Sequence, residues 1–186
     1  MSPYGAPEKE LYDYIPDFGP LFERYGDWIA HKYGQLLDHL DYGGDVVVVH
    51  PDEGRAGQLV RSLQLRVEQR LVAVAIPRRV LTDVGEQTVA PYDVFQQASS
   101  AAEIGHDLAD WQRQLLQLRS QHGLALVLGM DEFNASGRSA RAMVDLLHAF
   151  GVQVGAYLPF LDRHPTGPVP DVATQALYEI ESPRAA

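Results

Sequence analysis

The stretch of residues 126–139 constrains the fold more than any other part of this chain. It reads LVLGMDEFNASGRS, an apolar run followed by two adjacent carboxylates and then by small residues. A short continuous apolar run is typical of a parallel strand that is buried on both faces. Beyond it, apolar residues recur with the spacing of one helix face, at Ala140, Met143, Val144 and Leu147. The sequence therefore predicts a buried strand, a loop and a helix in direct succession.

The junction between this strand and helix combines two kinds of binding group. Asp131 and Glu132 follow the apolar run, at the carboxyl end of the strand, where open α/β sheets bind their ligands. The helix should begin near residues 135–139, where unpaired backbone N–H groups and the helix dipole favour an anion. Gly137 lets the backbone approach a ligand closely, and the two serines of the loop add hydroxyl donors. We expect a site for a phosphate and a cation.

Strand and helix patterns alternate through most of the remaining chain. Predicted strands cover residues 46–49, 71–76, 126–128, 152–161 and, at an edge, 176–180. Predicted helices cover residues 21–40, 59–67, 101–121 and 139–147. Alternation at this spacing indicates an α/β fold, with a central parallel sheet that is flanked by helices.

Two stretches lack this periodicity. Residues 1–20 are rich in proline and tyrosine and are expected to form an irregular arm ahead of a single domain at 21–186. Residues 80–100 are expected to form a long loop, with a hairpin around 82–92. Loops of this length in compact domains often act as lids. We therefore expect a mobile loop at about 77–100.

Composition excludes several classes of protein. The 186 residues include no cysteine, which rules out disulfides, thiolate metal sites and a cysteine nucleophile, and fits a cytoplasmic location. No apolar run is long enough to span a membrane. A net charge of -10 argues against a nucleic-acid-binding surface. The absence of P-loop, Gly-x-Ser-x-Gly and His-Glu-x-x-His patterns argues against nucleotide kinases and common hydrolases.

The order of these elements resembles that of the type I phosphoribosyltransferases. The family signature is an apolar strand, two acids, two mostly apolar residues, a small or polar pair, Gly, any residue and Ser or Thr. Residues 131–139, DEFNASGRS, match it. Phenylalanine after the acids, and alanine two residues later, are most similar to bacterial xanthine phosphoribosyltransferases, with the adenine enzymes next. Residues 81–95 resemble the mobile loop of the xanthine enzymes, and Asp162 with Arg163 falls where they carry an acid–lysine pair.

This resemblance implies the family's fold, with a small hood, and its reaction. The phosphoribosyl group of phosphoribosyl pyrophosphate would pass to a purine, with xanthine the first expectation and adenine or another purine next, and pyrophosphate would leave. Mg²⁺ is the implied cofactor and a homodimer the implied assembly. Asp131 and Glu132 would be the catalytic acids, acting on the ribose hydroxyls directly or through Mg²⁺.

The resemblance also implies roles for the surrounding residues. The group implied to bind the 5-phosphate is Ala135, Ser136, Gly137, Arg138 and Ser139. The group implied to bind pyrophosphate is Asp52, Glu53, Gly54, Arg78 and Arg79. Phe133 would pack on the base and Arg163 would bind a base carbonyl. From the residues alone, the two adjacent arginines could equally form a charged turn, and Phe133 could be a core aromatic.

The sequence departs from the family pattern at informative positions. Glu132 stands where aspartate is commoner, and Asn134 is polar where an apolar residue is usual. Asp52 and Glu53 add negative charge where pyrophosphate should bind, which requires a metal or side chains that turn away. Ala135 lacks the carboxylate that hypoxanthine-guanine enzymes use as a base. Two alternatives stay open: a phosphoribosyltransferase with an orotate-like acceptor, and a regulator that binds phosphoribosyl pyrophosphate without catalysis.

Overall fold

A computed structural model describes residues 18–39, 45–52, 55–65, 71–91, 93, 113, 126–134, 137–162 and 172–179. Its helices are α1 (Phe18–His39), α2 (Ala56–Gln64), α3 (Arg78–Gly85) and α4 (Arg138–Ala149). Its strands are β1 (Val46–Pro51), β2 (Leu71–Ile76), β3 (Leu126–Asn134), β4 (Ala156–Asp162), β5 (Ala173–Thr174) and β6 (Tyr178–Glu179). None of the described helices has the length and apolar character needed to cross a membrane.

The strands form one parallel sheet in the order β2-β1-β3-β4-β5, and β6 also pairs with β4. The order reverses direction between β1 and β3, because β1 leads back to β2 on one side while β3 leads on to β4 on the other. In open parallel sheets a crevice opens at the carboxyl ends of strands that flank such a reversal. The predicted parallel α/β fold is confirmed, and its topology points to the β1–β3 edge as the place for a ligand.

Each face of the sheet carries its own apolar core. On one face, α1 and α2 pack through buried residues that include Tyr33 and Leu59, against Val46 and Val48 of β1. On the other face, α3 and α4 pack against the alternate β1 residues Val47 and Val49. Successive strand residues point to opposite faces, so a strand covered on both sides must be apolar throughout. This explains the unbroken valine run of β1.

Helix α3 corrects the sequence interpretation. The expectation of a loop over residues 80–100 is wrong for residues 80–85, which are helical, and the expected hairpin at 82–92 is wrong because its first half lies in this helix. Residues 86–89 form turns and bends, in keeping with the expected loop. Val80, Leu81 and Val84 are buried on one side of α3 and join the core beneath α4. Arg79 and Thr82 are exposed. Because the helix is short and contains several polar residues, its apolar residues are too few to show a helical period in the sequence. The mobility of this region stays a prediction.

Element boundaries differ from the prediction in several places. β3 continues through the acids to Asn134, because this stretch stays paired with β4 as far as Asp162. α1 begins at Phe18, inside the expected irregular arm. β4 begins at Ala156 rather than at 152, and the sequence does not predict β5. The edge strand expected at 176–180 is observed as β6. The arm at 1–17 and nearly all of the helix expected at 101–121 lie outside the described residues.

Candidate active site

The acid pair lies on β3 at the carboxyl edge of the sheet, beside the end of β1. Asp131 points to the α3–α4 face, because a side chain placed two residues earlier, at Gly129, would meet Tyr157 and Met143 in the core of that face. Glu132 points to the opposite face, where Oε2 accepts a hydrogen bond from Ala56 N at 3.0 Å. Both carboxylates lie at the point where the strand order reverses, close enough for the Glu132 side chain to act directly on Asp131.

One arginine reaches both carboxylates. Arg78 Nη2 lies 3.6 Å from Asp131 Oδ1 and 3.6 Å from Glu132 Oε1. These distances are longer than a well-formed charge-assisted hydrogen bond, so the guanidinium acts as a shared counter-charge. The Arg78 side chain is 33% exposed and accessible to a ligand. Arg79 is 77% exposed, and its Nε lies 3.9 Å from Asp83 Oδ2, so the two adjacent arginines occupy different environments.

Asp131 is the most deeply buried of the candidate acids, at 1% exposure. Its Oδ1 accepts the Glu132 N–H at 2.9 Å, whereas its Oδ2 is buried and has no hydrogen-bond partner among the described residues. Burial raises the pKa of Asp131 well above its ordinary value, and the neighbouring Glu132 charge raises it further, while Arg78 opposes the shift. A buried carboxylate oxygen without a donor is costly, and such groups are concentrated at functional sites.

Carboxylates also hold the beginnings of two helices at this edge. Glu132 Oε2 accepts the N–H of Ala56, the first residue of α2. Asp52 Oδ1 accepts the N–H of Arg78, the first residue of α3, at 2.9 Å. A carboxylate at a helix N-terminus is favoured by the unpaired N–H groups and by the helix dipole. Asp52 is thus turned towards α3, which accounts for an acid in the segment where the resemblance implies a pyrophosphate site.

The beginning of α4 is the candidate phosphate end of the site. Gly137 adopts a left-handed conformation with φ of 72° and precedes the first residue of the helix without a side-chain cap. Its N–H donates to Asn134 Oδ1 at 3.1 Å, so Gly137 shapes the turn and its donor is already in use. The first turn of a helix has N–H groups without intrahelical partners, and such groups favour an anion. Arg138 and Ser139 are half-buried in this turn.

The remaining predicted residues fall on the β4 side of the acid pair or outside the description. Phe133 is half-buried and packs against the apolar cluster that contains Leu161, its partner in register on β4. Next to it, Asn134 Nδ2 donates to Asp162 Oδ1 at 2.9 Å. The predicted site residues outside the described part of the chain are Glu53, Gly54, Ala135, Ser136 and Arg163.

His50 is a site neighbour that the sequence interpretation does not include. It lies near the end of β1, is buried, and its Nδ1 lies 2.6 Å from Pro51 O. Burial lowers the pKa of His50, which favours the neutral ring. A side chain at Gly57 of α2 would lie 3.3 Å from the ring, so the glycine makes room for it. The sequence signal that could have identified His50 is a polar residue directly after four valines.

The acid pair fits a magnesium ion that is held partly by substrate. Within the described ranges, no three His, Asp or Glu side chains are arranged to hold a metal by themselves. Mg²⁺ is commonly bound by one or two carboxylates together with water and substrate phosphates. Asp131 offers Oδ2, which has no partner in the described ranges, and Glu132 lies next to it, which matches this mode of binding.

Comparison with solved structures identifies the fold. The chain is similar to a hypoxanthine phosphoribosyltransferase from Staphylococcus aureus in an orthorhombic crystal form, with a TM-score of 0.51 and 14% identity, over 86% of this chain and 76% of that one. For a tetragonal form of that protein the TM-score is 0.49 and the identity 12%, over 86% and 75% of the chains. No protein-family model and no curated protein sequence matches. The chain thus has the type I phosphoribosyltransferase fold, as the sequence resemblance implies.

Proposed function

We propose that this chain is a purine phosphoribosyltransferase, which transfers the phosphoribosyl group of phosphoribosyl pyrophosphate to a nucleobase and releases pyrophosphate. The observation that carries the proposal is the Asp131–Glu132 pair at the carboxyl edge of the sheet, where the strand order reverses between β1 and β3, with Asp131 Oδ2 buried and unpartnered among the described residues. A ribose offers the hydroxyl donors that such an oxygen lacks, and a phosphate suits the N-terminus of α4.

The acids would bind the ribose and stabilise its transition state. A ribose hydroxyl would donate to Asp131 Oδ2 and so satisfy a group that folding leaves without a partner among the described residues. As the bond to pyrophosphate breaks, positive charge develops on the sugar. Burial favours the protonated form of Asp131 in the free protein, and the positive charge of the bound cation and of the developing ribose cation would favour its ionised form, which in turn stabilises that charge.

Arg78 would exchange partners when the donor binds. Its guanidinium lies 3.6 Å from both carboxylates and keeps a third of its surface exposed. Ribose hydroxyls and the cation would bind the two carboxylates in place of the Arg78 guanidinium. The guanidinium could then bind pyrophosphate oxygens as they gain charge. The 5-phosphate would lie against the first turn of α4, at Arg138 and Ser139.

Magnesium would be held at the acid pair by Asp131 and Glu132, directly or through water. When bound, the ion supplies a positive charge that neutralises the leaving pyrophosphate. Phe133 and Arg163 remain the proposed base-binding residues, with xanthine the first expected base. The homodimer and the cytoplasmic location are part of the same proposal.

A turnover assay tests this function. The protein is incubated with Mg²⁺, phosphoribosyl pyrophosphate and, in turn, xanthine, adenine, hypoxanthine, guanine and orotate, while nucleotide and pyrophosphate are quantified. We expect turnover with a purine, xanthine before the others. Turnover with orotate alone would overturn the purine assignment. Donor binding without turnover on any base would indicate a regulator instead of an enzyme. Asp131→Asn, which keeps size but removes the charge, is the matched control.

A further inference from the structure

A buried hydrogen bond connects the end of β3 to the end of β4. Asn134 Nδ2 donates to Asp162 Oδ1 at 2.9 Å, and these residues are 3% and 2% exposed. The other half of the amide is also used, because Asn134 Oδ1 accepts the Gly137 N–H at 3.1 Å. One side chain therefore joins three backbone segments: the end of β3, the end of β4 and the residue that precedes α4.

The position of this contact follows from strand pairing. Asn134 and Asp162 are directly opposite in the β3–β4 register, so their side chains leave the sheet side by side. A carboxylate that is 2% exposed needs hydrogen-bond donors, and an amide supplies one without adding a second charge. An apolar residue at 134 would leave both Asp162 Oδ1 and the Gly137 N–H without this partner. The polar residue at this position, unusual for the family pattern, thus has a structural task.

The contact lies between the phosphate end and the base end of the proposed site. Asn134 comes two residues after Glu132, and Gly137 sets the direction in which α4 begins, where the 5-phosphate would lie. Asp162 is the last residue of β4 and directly precedes Arg163, the proposed base-binding residue. The distance between phosphate and base subsites depends on how these segments are held together.

We propose that Asn134 and Asp162 are positioning residues, whose hydrogen bond holds the start of α4 at a fixed place relative to the end of β4 for donor binding. The inference rests on the proposed function, because it assumes that the donor's 5-phosphate binds at α4. Asp162 acts in this contact as a hydrogen-bond acceptor, so the proposal predicts that the oxygen at this position matters more for donor binding than the charge.

Three single variants test this assignment by titration calorimetry with phosphoribosyl pyrophosphate and Mg²⁺. Asp162→Leu removes the acceptor at similar volume and should raise the donor Kd about tenfold, or about 1.4 kcal/mol. Asp162→Asn keeps an oxygen for the Asn134 amide and should stay within about threefold of the unaltered protein. Gln64→Leu is the control, since it removes a side-chain hydrogen bond to a different strand, from Gln64 Nε2 to Leu71 O at the beginning of β2, and should leave the donor Kd unchanged.

The outcomes separate positioning from a general loss of stability. All titrations are run below the unfolding temperature of each variant, so a purely structural role would leave the donor Kd of Asp162→Leu unchanged and overturn the inference. Equal losses in Asp162→Asn and Asp162→Leu would also overturn it, because they would assign the effect to charge. If the unaltered protein fails to bind the donor, the proposed function fails and this inference with it, a result visible before any variant is compared.

A second pair of variants decides the matter if Asp162→Leu does not fold. Asn134→Asp sets two buried carboxylates against each other and should lose both thermal stability and donor affinity. Adding Asp162→Asn restores a hydrogen bond with donor and acceptor exchanged, and should recover most of both losses. Failure of the double variant to recover either quantity would overturn the inference.

Discussion

The acid pair on β3 is flanked by two contacts of different character. Towards β1, Arg78 lies 3.6 Å from both carboxylates, and its side chain is one-third exposed. Towards β4, the Asn134 amide holds the buried Asp162 carboxylate at 2.9 Å. Partly exposed ion pairs at such distances are weak and easily exchanged, whereas a short buried hydrogen bond is costly to break. The β1 side is therefore suited to exchange partners with a charged ligand, and the β4 side to keep its geometry.

The largest effect should come from the buried acid between these two sides. Asp131→Asn removes the charge that would stabilise the positive ribose, and should lower kcat by about two to three orders of magnitude. Initial rates of pyrophosphate release measure the change, and thermal unfolding checks that the variant is folded. A rate within about twofold of the unaltered protein would separate Asp131 from the chemistry.

The next effect distinguishes the two adjacent arginines. Arg78→Ala removes the counter-charge on the exchanging side and should lower kcat/KM for the donor about thirtyfold, equivalent to about 2 kcal/mol for a charge-assisted hydrogen bond. Arg79→Ala, whose side chain lies by Asp83, should change it less than about twofold. Steady-state kinetics at fixed Mg²⁺ provide the comparison. Equal losses in the two variants would remove the special role of Arg78.

A third effect concerns stability and pH. Burial raises the pKa of Asp131 in the folded protein, so folding favours the protonated acid. Its contribution to stability is present below the ordinary value of 3.8 and is lost as the pH rises through the raised pKa. Asp131→Asn cannot ionise, so it should be more stable than the unaltered protein at about pH 8, with the difference shrinking towards about pH 4. Urea unfolding across this range measures both proteins. A difference independent of pH would contradict the assignment.

The smallest effect should come from the cap of α3. Asp52→Ala removes the acceptor of the Arg78 N–H and should cost about 1 kcal/mol of stability, as is typical for helix N-caps. Asp52→Asn keeps an acceptor and should cost a few tenths of this. Urea unfolding gives the stabilities, and donor KM should rise only in Asp52→Ala, where α3 no longer holds Arg78 in place. If both variants raise the Mg²⁺ requirement equally, Asp52 is a metal ligand instead.

Local sequence patterns predict most of the sheet. Strand β1 and the first part of β3 are apolar runs, because strands covered on both faces must be apolar, and this signal needs no knowledge of distant residues. Strand β2 is also an apolar run, although Ala75 on this outer strand is exposed. Helix α3 escapes such a pattern because it is short, and its three buried residues cover little more than one turn among polar ones. The predicted end of β3 comes too early, because pairing with β4 extends the strand past the acids. Strand pairing depends on distant residues and is not visible in a local pattern.

The site is only partly predictable, for a related reason. The sequence predicts where Asp131 and Glu132 lie, because these two acids directly follow an apolar run. It does not predict their partners, because the Ala56 N–H and the Arg78 guanidinium belong to helices that follow other strands of the sheet. The sequence shows that Asn134 is polar where an apolar residue is usual. It does not show the hydrogen bond of Asn134, because the partner, Asp162, is distant in sequence.

Donor binding at the acid pair is the most direct test of the central claim. Phosphoribosyl pyrophosphate with Mg²⁺ is titrated by calorimetry into the unaltered protein and into the double variant Asp131→Asn/Glu132→Gln. The amide introduced by Glu132→Gln keeps an oxygen for the Ala56 N–H, so α2 should stay capped while both charges are removed. We expect binding by the unaltered protein and loss of about a hundredfold or more in affinity in the double variant. Equal affinity in both proteins would place the donor elsewhere and contradict the assignment.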